Sequence, residues 1–99
     1  MKDINGQFNV EIKVDESIAE GRFCNFINIS NSMEEFIFDF LFVNPSPAPG
    51  YGKLISRMIL TPGHAKRLLN ALGHNLHEYE LRFGEIKTEN TFEVKPTIQ

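Results

Sequence analysis

The sequence predicts an α+β fold: a four-stranded antiparallel sheet followed by one long C-terminal helix packed on one face, in the order β-β-β-β-α. Three observations predict it. Residues 8–14 alternate between apolar and polar side chains, the pattern of a half-buried strand. Residues 35–43 place phenylalanine at every second position from Phe36 to Phe42, which sets four rings on one face of a strand. After Thr61-Pro62, apolar residues recur at steps of four and three, as on an amphipathic helix.

The bulk composition bounds the answer. With 99 residues the chain is expected to form one domain, over residues 8–86. Residues 1–7 read as a loose start, and residues 87–99 as a polar tail that is either flexible or a short extra strand. A hydrophobic content of 41% and a charged content of 23% are those of an ordinary globular chain. The net charge of −3 argues against a nucleic-acid partner, and Lys66-Arg67 is too small a basic cluster to reverse that. A single cysteine, Cys24, excludes an intramolecular disulfide and fits a reducing compartment. No apolar run reaches the length of a membrane span, and the first residues lack a signal-peptide core. The expectation is a cytoplasmic protein without membrane contact.

Along the chain, Val10, Ile12 and Val14 share a face with Phe8, and Asn9, Glu11 and Lys13 take the other. Asp15-Glu16-Ser17 breaks that strand, and residues 17–20 suit a short turn ended by Gly21. Residues 22–30 form the second expected strand and Asn31-Ser32 the next turn. The third strand, residues 35–43, is apolar on both faces: the phenylalanines on one, and Ile37, Leu41 and Val43 around Asp39 on the other. Residues 44–52 contain Pro45, Pro47, Pro49, Gly50 and Gly52, so no ladder continues through them. The fourth strand, residues 53–60, carries Leu54, Met58 and Leu60 with Ser56 on one face, and Ile55 and Ile59 with Arg57 on the other.

Thr61 is an N-cap by chemistry, since its hydroxyl can accept from a free amide of the first turn. Pro62 then falls at the first helical position, where no amide is required. Ala65, Leu69, Leu72, Leu76, Tyr79 and Phe83 form a narrow stripe close to a coiled-coil seam, flanked by Leu68. Gly84 is placed to end the helix, so residues 62–83 span roughly 33 Å. Gly73 inside it costs about 1 kcal/mol relative to alanine.

One helix covers one face of a sheet, yet the third and fourth strands are apolar on both. Leaving the second face wet exposes a patch larger than monomers carry. The expected remedy is a homo-oligomer, a dimer or a tetramer, with Phe36, Phe38, Phe40 and Phe42 on the sheet and Leu69, Leu72 and Leu76 on the helix as candidate interface residues.

Several runs resemble a known family. They are Val10-Glu11-Ile12 followed by Ala19-Glu20-Gly21, Phe36-Ile37-Phe38-Asp39-Phe40, and Ser56-Arg57-Met58-Ile59-Leu60-Thr61-Pro62. The likeness continues through His64-Ala65-Lys66-Arg67-Leu68-Leu69, Asn75, Tyr79-Glu80 and Phe83-Gly84-Glu85-Ile86. Over roughly residues 8–86 the chain resembles the small bacterial, archaeal and phage proteins grouped as domain of unknown function 3467. Gly63 departs from the pattern, where a helix-favouring residue is more usual. The resemblance strengthens the fold and implies no activity or site residue. The element order is also similar to that of SecB-like export chaperones, which hold unfolded clients in apolar grooves; that likeness is one of fold alone.

Candidate chemistry is sparse. A hairpin about the Pro-Gly loop that pairs Val43 with Lys53 also sets Asp39 opposite Arg57, each the lone charge on its face. They are expected to form a structural ion pair, because no nucleophile falls beside them. His74 and His77 share a side of the helix, but a metal needs a third and fourth ligand and a second shell, so two solvated histidines is the simpler reading. Cys24 between Phe23 and Phe26 reads as an inert thiol. No Ser-His-Asp set, glycine-rich phosphate loop or carboxylate pair stands out, so no catalytic residue, cofactor or metal is expected. Tyr51 marks a candidate binding loop. The function expected is a non-enzymatic, homo-oligomeric interaction module: a scaffold, adaptor or chaperone-like binder of a protein client. The alternative is a small-molecule or enzymatic site built at a subunit interface from Arg57, Asp39 or the loop around Tyr51.

Overall fold

The computed structural model describes residues 9–88. Phe8, the start at residues 1–7 and the alternation at Thr91, Phe92, Glu93 and Val94 lie outside the described residues. The elements run in the order α1 (Glu16–Ala19), β1 (Phe26–Asn31), β2 (Phe36–Asn44), β3 (Tyr51–Leu60) and α2 (Pro62–Phe83). The sheet is antiparallel with β2 in the centre, in the order β1-β2-β3. It has three strands rather than the expected four.

The missing strand is residues 9–14, which take no regular structure. Alternation specifies which side chains share a face, but a strand also needs a neighbour for its backbone, and none is supplied among the described residues. Val10, Ile12 and Val14 stay 73%, 81% and 65% exposed. The chain is instead redirected just after them. Asp15 caps the single turn of α1, its Oδ1 accepting from the Ser17 amide at 2.9 Å and the Ser17 hydroxyl at 2.7 Å. Gly21 follows with a φ of 78°.

The strand expected over residues 22–30 begins only at Phe26. Asn25 explains the late start. Phe26 pairs with Leu41, so a continued ladder would set the Cys24 backbone against Val43. The Asn25 side chain takes that place: its Nδ2 donates to the Val43 carbonyl and its Oδ1 accepts from the Val43 amide, both at 2.8 Å. An amide side chain thus imitates a peptide unit and ends the strand.

β1 and β2 join through Ser32, whose hydroxyl accepts from the amides of Glu34 and Glu35 at 3.2 and 3.3 Å. β2 and β3 join through the Pro-rich loop, in which the peptide bonds before Pro47 and Pro49 are cis. Gly50 closes it with a φ of 78°, donating to the Pro47 carbonyl at 2.9 Å. A Cβ there would lie 3.2 Å from the Pro45 Cα, so only glycine fits without a backbone shift.

The β2–β3 register matches a simple hairpin only in part. Asp39 stands opposite Arg57, but Val43 pairs with Gly52 and not with Lys53. Phe40 pairs with Ser56 and Leu41 with Leu54, leaving Ile55 as the extra residue of a β-bulge.

α2 has the expected bounds. The Thr61 hydroxyl accepts from the His64 amide at 3.3 Å, Pro62 opens the helix, and Gly84 closes it with a φ of 96° while donating to the Glu80 carbonyl at 2.9 Å. Glu80 also reaches past the cap, its Oε2 accepting from the Ile86 amide at 2.9 Å. Because the first turn of α2 depends on one side-chain acceptor, Thr61→Ala is expected to lower stability by about 1 kcal/mol, read as a lower urea midpoint at unchanged slope.

The helix is not packed along the sheet, as the sequence suggested it would be. No residue of α2 is buried. Thr61 alone separates Leu60 from Pro62, whereas a helix that folds back over its strand usually has a connection of about 2–6 residues. Contact with the sheet is therefore confined to the first turns. Among the described residues Phe38 is the one buried apolar side chain.

Candidate interaction surface

Two apolar surfaces dominate the described residues. The first is the sheet face shared by Phe36, Phe38, Phe40 and Phe42. The ladder sets Ile29 against Phe38 and Ile27 against Phe40 on one side, and Met58 against Phe38 and Leu60 against Phe36 on the other. Phe38 is buried at the centre, and the other three rings are half-buried. Phe23 packs edge-on against Phe42, ring centroids 6.3 Å apart.

Where this face meets the start of α2, an open groove of about 520 Å³ is lined by Phe38, Phe40, Met58, Leu60, His64, Arg67 and Leu68. Arg67 Nη2 lies 3.0 Å from His64 Nδ1, so the two polar side chains of the groove engage each other. Sequence reasoning treated His64 and Arg67 separately. Their i, i+3 spacing in the first turns of a helix was the available signal.

The second surface is the helix seam. Leu69, Leu72 and Leu76 are 67%, 51% and 42% exposed, and Tyr79 and Phe83 extend the stripe with their ring centroids 4.9 Å apart. Leu81, on the opposite side of α2, is 70% exposed.

The second sheet face carries the charged pair. Arg57 Nε donates to Asp39 Oδ1 at 2.7 Å and Nη2 to Oδ2 at 3.0 Å, a two-pronged contact across the β2–β3 ladder. Asp39 sits on the central strand and is 14% exposed, while Arg57 on the edge strand is 55% exposed. The hydrogen bonds from Arg57, with its charge, hold the Asp39 carboxyl below its usual pKa and raise that of the guanidinium. A carboxyl depressed in the folded state stabilises above its unfolded pKa, about 3.9, and loses that contribution as pH falls through the folded value. Thermal midpoints measured from pH 7 to pH 2 are therefore expected to fall less steeply for Asp39→Asn than for the wild type in the acid limb. Asp15, lowered by its hydrogen bonds from Ser17, keeps part of the slope.

Tyr51 opens β3 opposite Asn44 and is 61% exposed. Leu60, at the groove, closes the same ten-residue strand, so the Tyr51 loop and the groove lie roughly 30 Å apart along it. The structure does not bring Tyr51, the ion pair and the helix seam into one site. Among the described residues no cluster of three or more His, Cys, Asp or Glu forms a metal-binding group, and no helix is long and apolar enough to cross a membrane.

Comparison with known families places the molecule. The family described as Protein of unknown function (DUF3467) matches residues 1–88. The chain belongs to this family. The match takes in every element of the family member's fold, from α1 through α2, together with residues 9–14. No curated protein and no solved structure matches the chain.

Proposed function

We propose that this DUF3467 protein is a non-enzymatic, homo-oligomeric interaction module, in which copies cover one another's apolar sheet face and helix seam and the surface left outside serves a protein client. One observation carries the reading: Phe38 is the single buried apolar side chain among the described residues, while Leu69, Leu72 and Leu76 line up exposed on α2. Burying one phenylalanine contributes roughly 1.5–3 kcal/mol. Ordering each residue costs about 1–2 kcal/mol. Half-buried neighbours narrow that difference, but with both apolar surfaces wet the described residues of a lone chain do not form the core that a stable domain of this size requires. The single cysteine, free in the structure, supports a cytoplasmic setting.

The groove supports a binding role over catalysis. Its lining is mostly apolar, and its two polar side chains engage each other. Folding coupled to association makes the thermal midpoint rise with protein concentration. Midpoints measured over a hundredfold dilution series are expected to fall with dilution; a midpoint that stays constant overturns the proposal.

A further inference from the structure

We infer that α2 pairs antiparallel with α2 of a second copy, about a two-fold axis level with residues 73–75, an inference that rests on the oligomeric reading above and names its contact. Ala65, Leu69, Leu72, Leu76, Tyr79 and Phe83 recur four and three apart along α2, the spacing of coiled-coil core positions. The last five of them are 42% to 67% exposed. The sheet meets the helix through His64, Arg67 and Leu68 at the groove, to one side of this stripe.

The stripe is complementary to itself in one register. Setting Leu72 level with Leu76 of an antiparallel partner also sets Leu69 level with Tyr79 and Ala65 level with Phe83. The smallest core side chain then meets one of the largest, and all six positions find a counterpart. A shift of one heptad in either direction leaves core residues at one end of each helix without one. An antiparallel pair also places each helix N-terminus beside a C-terminus, the favourable order of the two dipoles.

Charge selects the same register. It sets Lys66, flanking the stripe, beside Glu80 of the partner helix, and the two-fold repeats that contact at the other end. Among the described residues neither side chain forms an ion pair within the chain. Glu80 accepts from the Ile86 amide through Oε2, and its Oε1 makes no hydrogen bond among those residues. Near the axis Gly73 falls beside Gly73, and Asn75 beside Asn75, whose amides can exchange hydrogen bonds. A Cβ on Gly73 would meet nothing within one chain, so the chain's own packing does not ask for glycine there, whereas two backbones drawn together across the axis do. The registers one heptad away, and a parallel pair, bring no opposite charges together across the stripe. The chain holds one α2, so the pairing takes a second copy.

Charge exchange tests it. Lys66→Glu sets like charges at both contacts of a homomeric pair, and so does Glu80→Lys; mixed one to one, the two variant chains restore opposite charges at both. Each variant alone is expected to associate about tenfold or more weakly than the wild type in sedimentation velocity. The mixture is expected to recover most of that loss as a heteromer, identified by native mass spectrometry. Loss of the Ile86 contact in Glu80→Lys is not repaired by a second chain, so recovery on mixing reads the contact between helices. In a Cys24→Ser background, a short bis-maleimide is expected to join two Asn75→Cys chains and not two His74→Cys chains, because residue 74 lies on the side of α2 away from the stripe. If the wild type is oligomeric but the mixture associates no better than its components, or Asn75→Cys gives no linked pair, the helix pairing is wrong and the oligomer stands, with the seam set against another surface. A wild type that is monomeric removes both.

Discussion

Phe38→Ala is expected to abolish cooperative folding. Truncating a buried phenylalanine costs about 3–5 kcal/mol, which removes nearly all the stability of a domain at the lower end of the usual range, roughly 5 kcal/mol. Phe38 is the sole buried apolar side chain among the described residues, on the central strand between Ile29 and Met58. No second core cluster is present among those residues to absorb the loss. The variant is expected to show a broad, non-sigmoidal urea transition by circular dichroism. Phe42→Ala, on the same face but half-buried, is expected to retain a sigmoidal transition at a lower midpoint. A Phe38→Ala transition as sharp as the wild type's, with a midpoint shift worth less than about 1 kcal/mol, would show that the core lies elsewhere.

Leu72→Lys combined with Leu76→Lys is expected to break the assembly. Each leucine contributes about 1.5–3 kcal/mol when its exposed surface is covered, so losing both weakens association by more than about a hundredfold. Freed of its partner, α2 is a 22-residue helix with Gly73 at its centre and no buried side chain, and in proteins most helical stability comes from packing of the apolar face rather than from propensity. Sedimentation velocity is expected to report a smaller species, and circular dichroism a reduced helical signal. Leu81→Lys supplies the contrast. Leu81 is just as exposed but faces away from the seam, so its replacement is expected to leave both readouts unchanged. Equal effects from the two surfaces would assign α2 no seam.

The parts of this fold that were legible in the sequence are those decided locally. Thr61-Pro62 and Gly84 bound α2 by capping chemistry, which needs only near neighbours, and both ends fall where that chemistry places them. The opposition of Asp39 and Arg57 is expected from a register that pairs Val43 with Lys53; that register holds from Phe36 to Phe40 and fails between the bulge and the loop. What was not legible depends on distant partners. Residues 9–14 have the periodicity of a strand, and periodicity is silent about whether a neighbour exists. Asn25 reads in the sequence as one more strand residue, whereas its side chain occupies the backbone groups of Val43. The bulge at Ile55 shifts the register toward the loop without any proline or glycine to mark it. The candidate interface residues were chosen for their spacing; their exposure on α2 comes from the one-residue connection at Thr61, whose consequence for helix packing is geometric. The groove at His64 and Arg67 forms where the start of α2 meets Phe38 and Met58, residues distant in sequence.

The central claim is that one chain is not the complete folded unit. Mass in solution, by light scattering across a dilution series, tests it most directly. A chain of 11.3 kDa is expected to scatter as at least twice that mass wherever its circular dichroism is native-like. On dilution, the smaller mass should appear together with loss of that signal. A well-folded species of single-chain mass at every concentration would contradict the account.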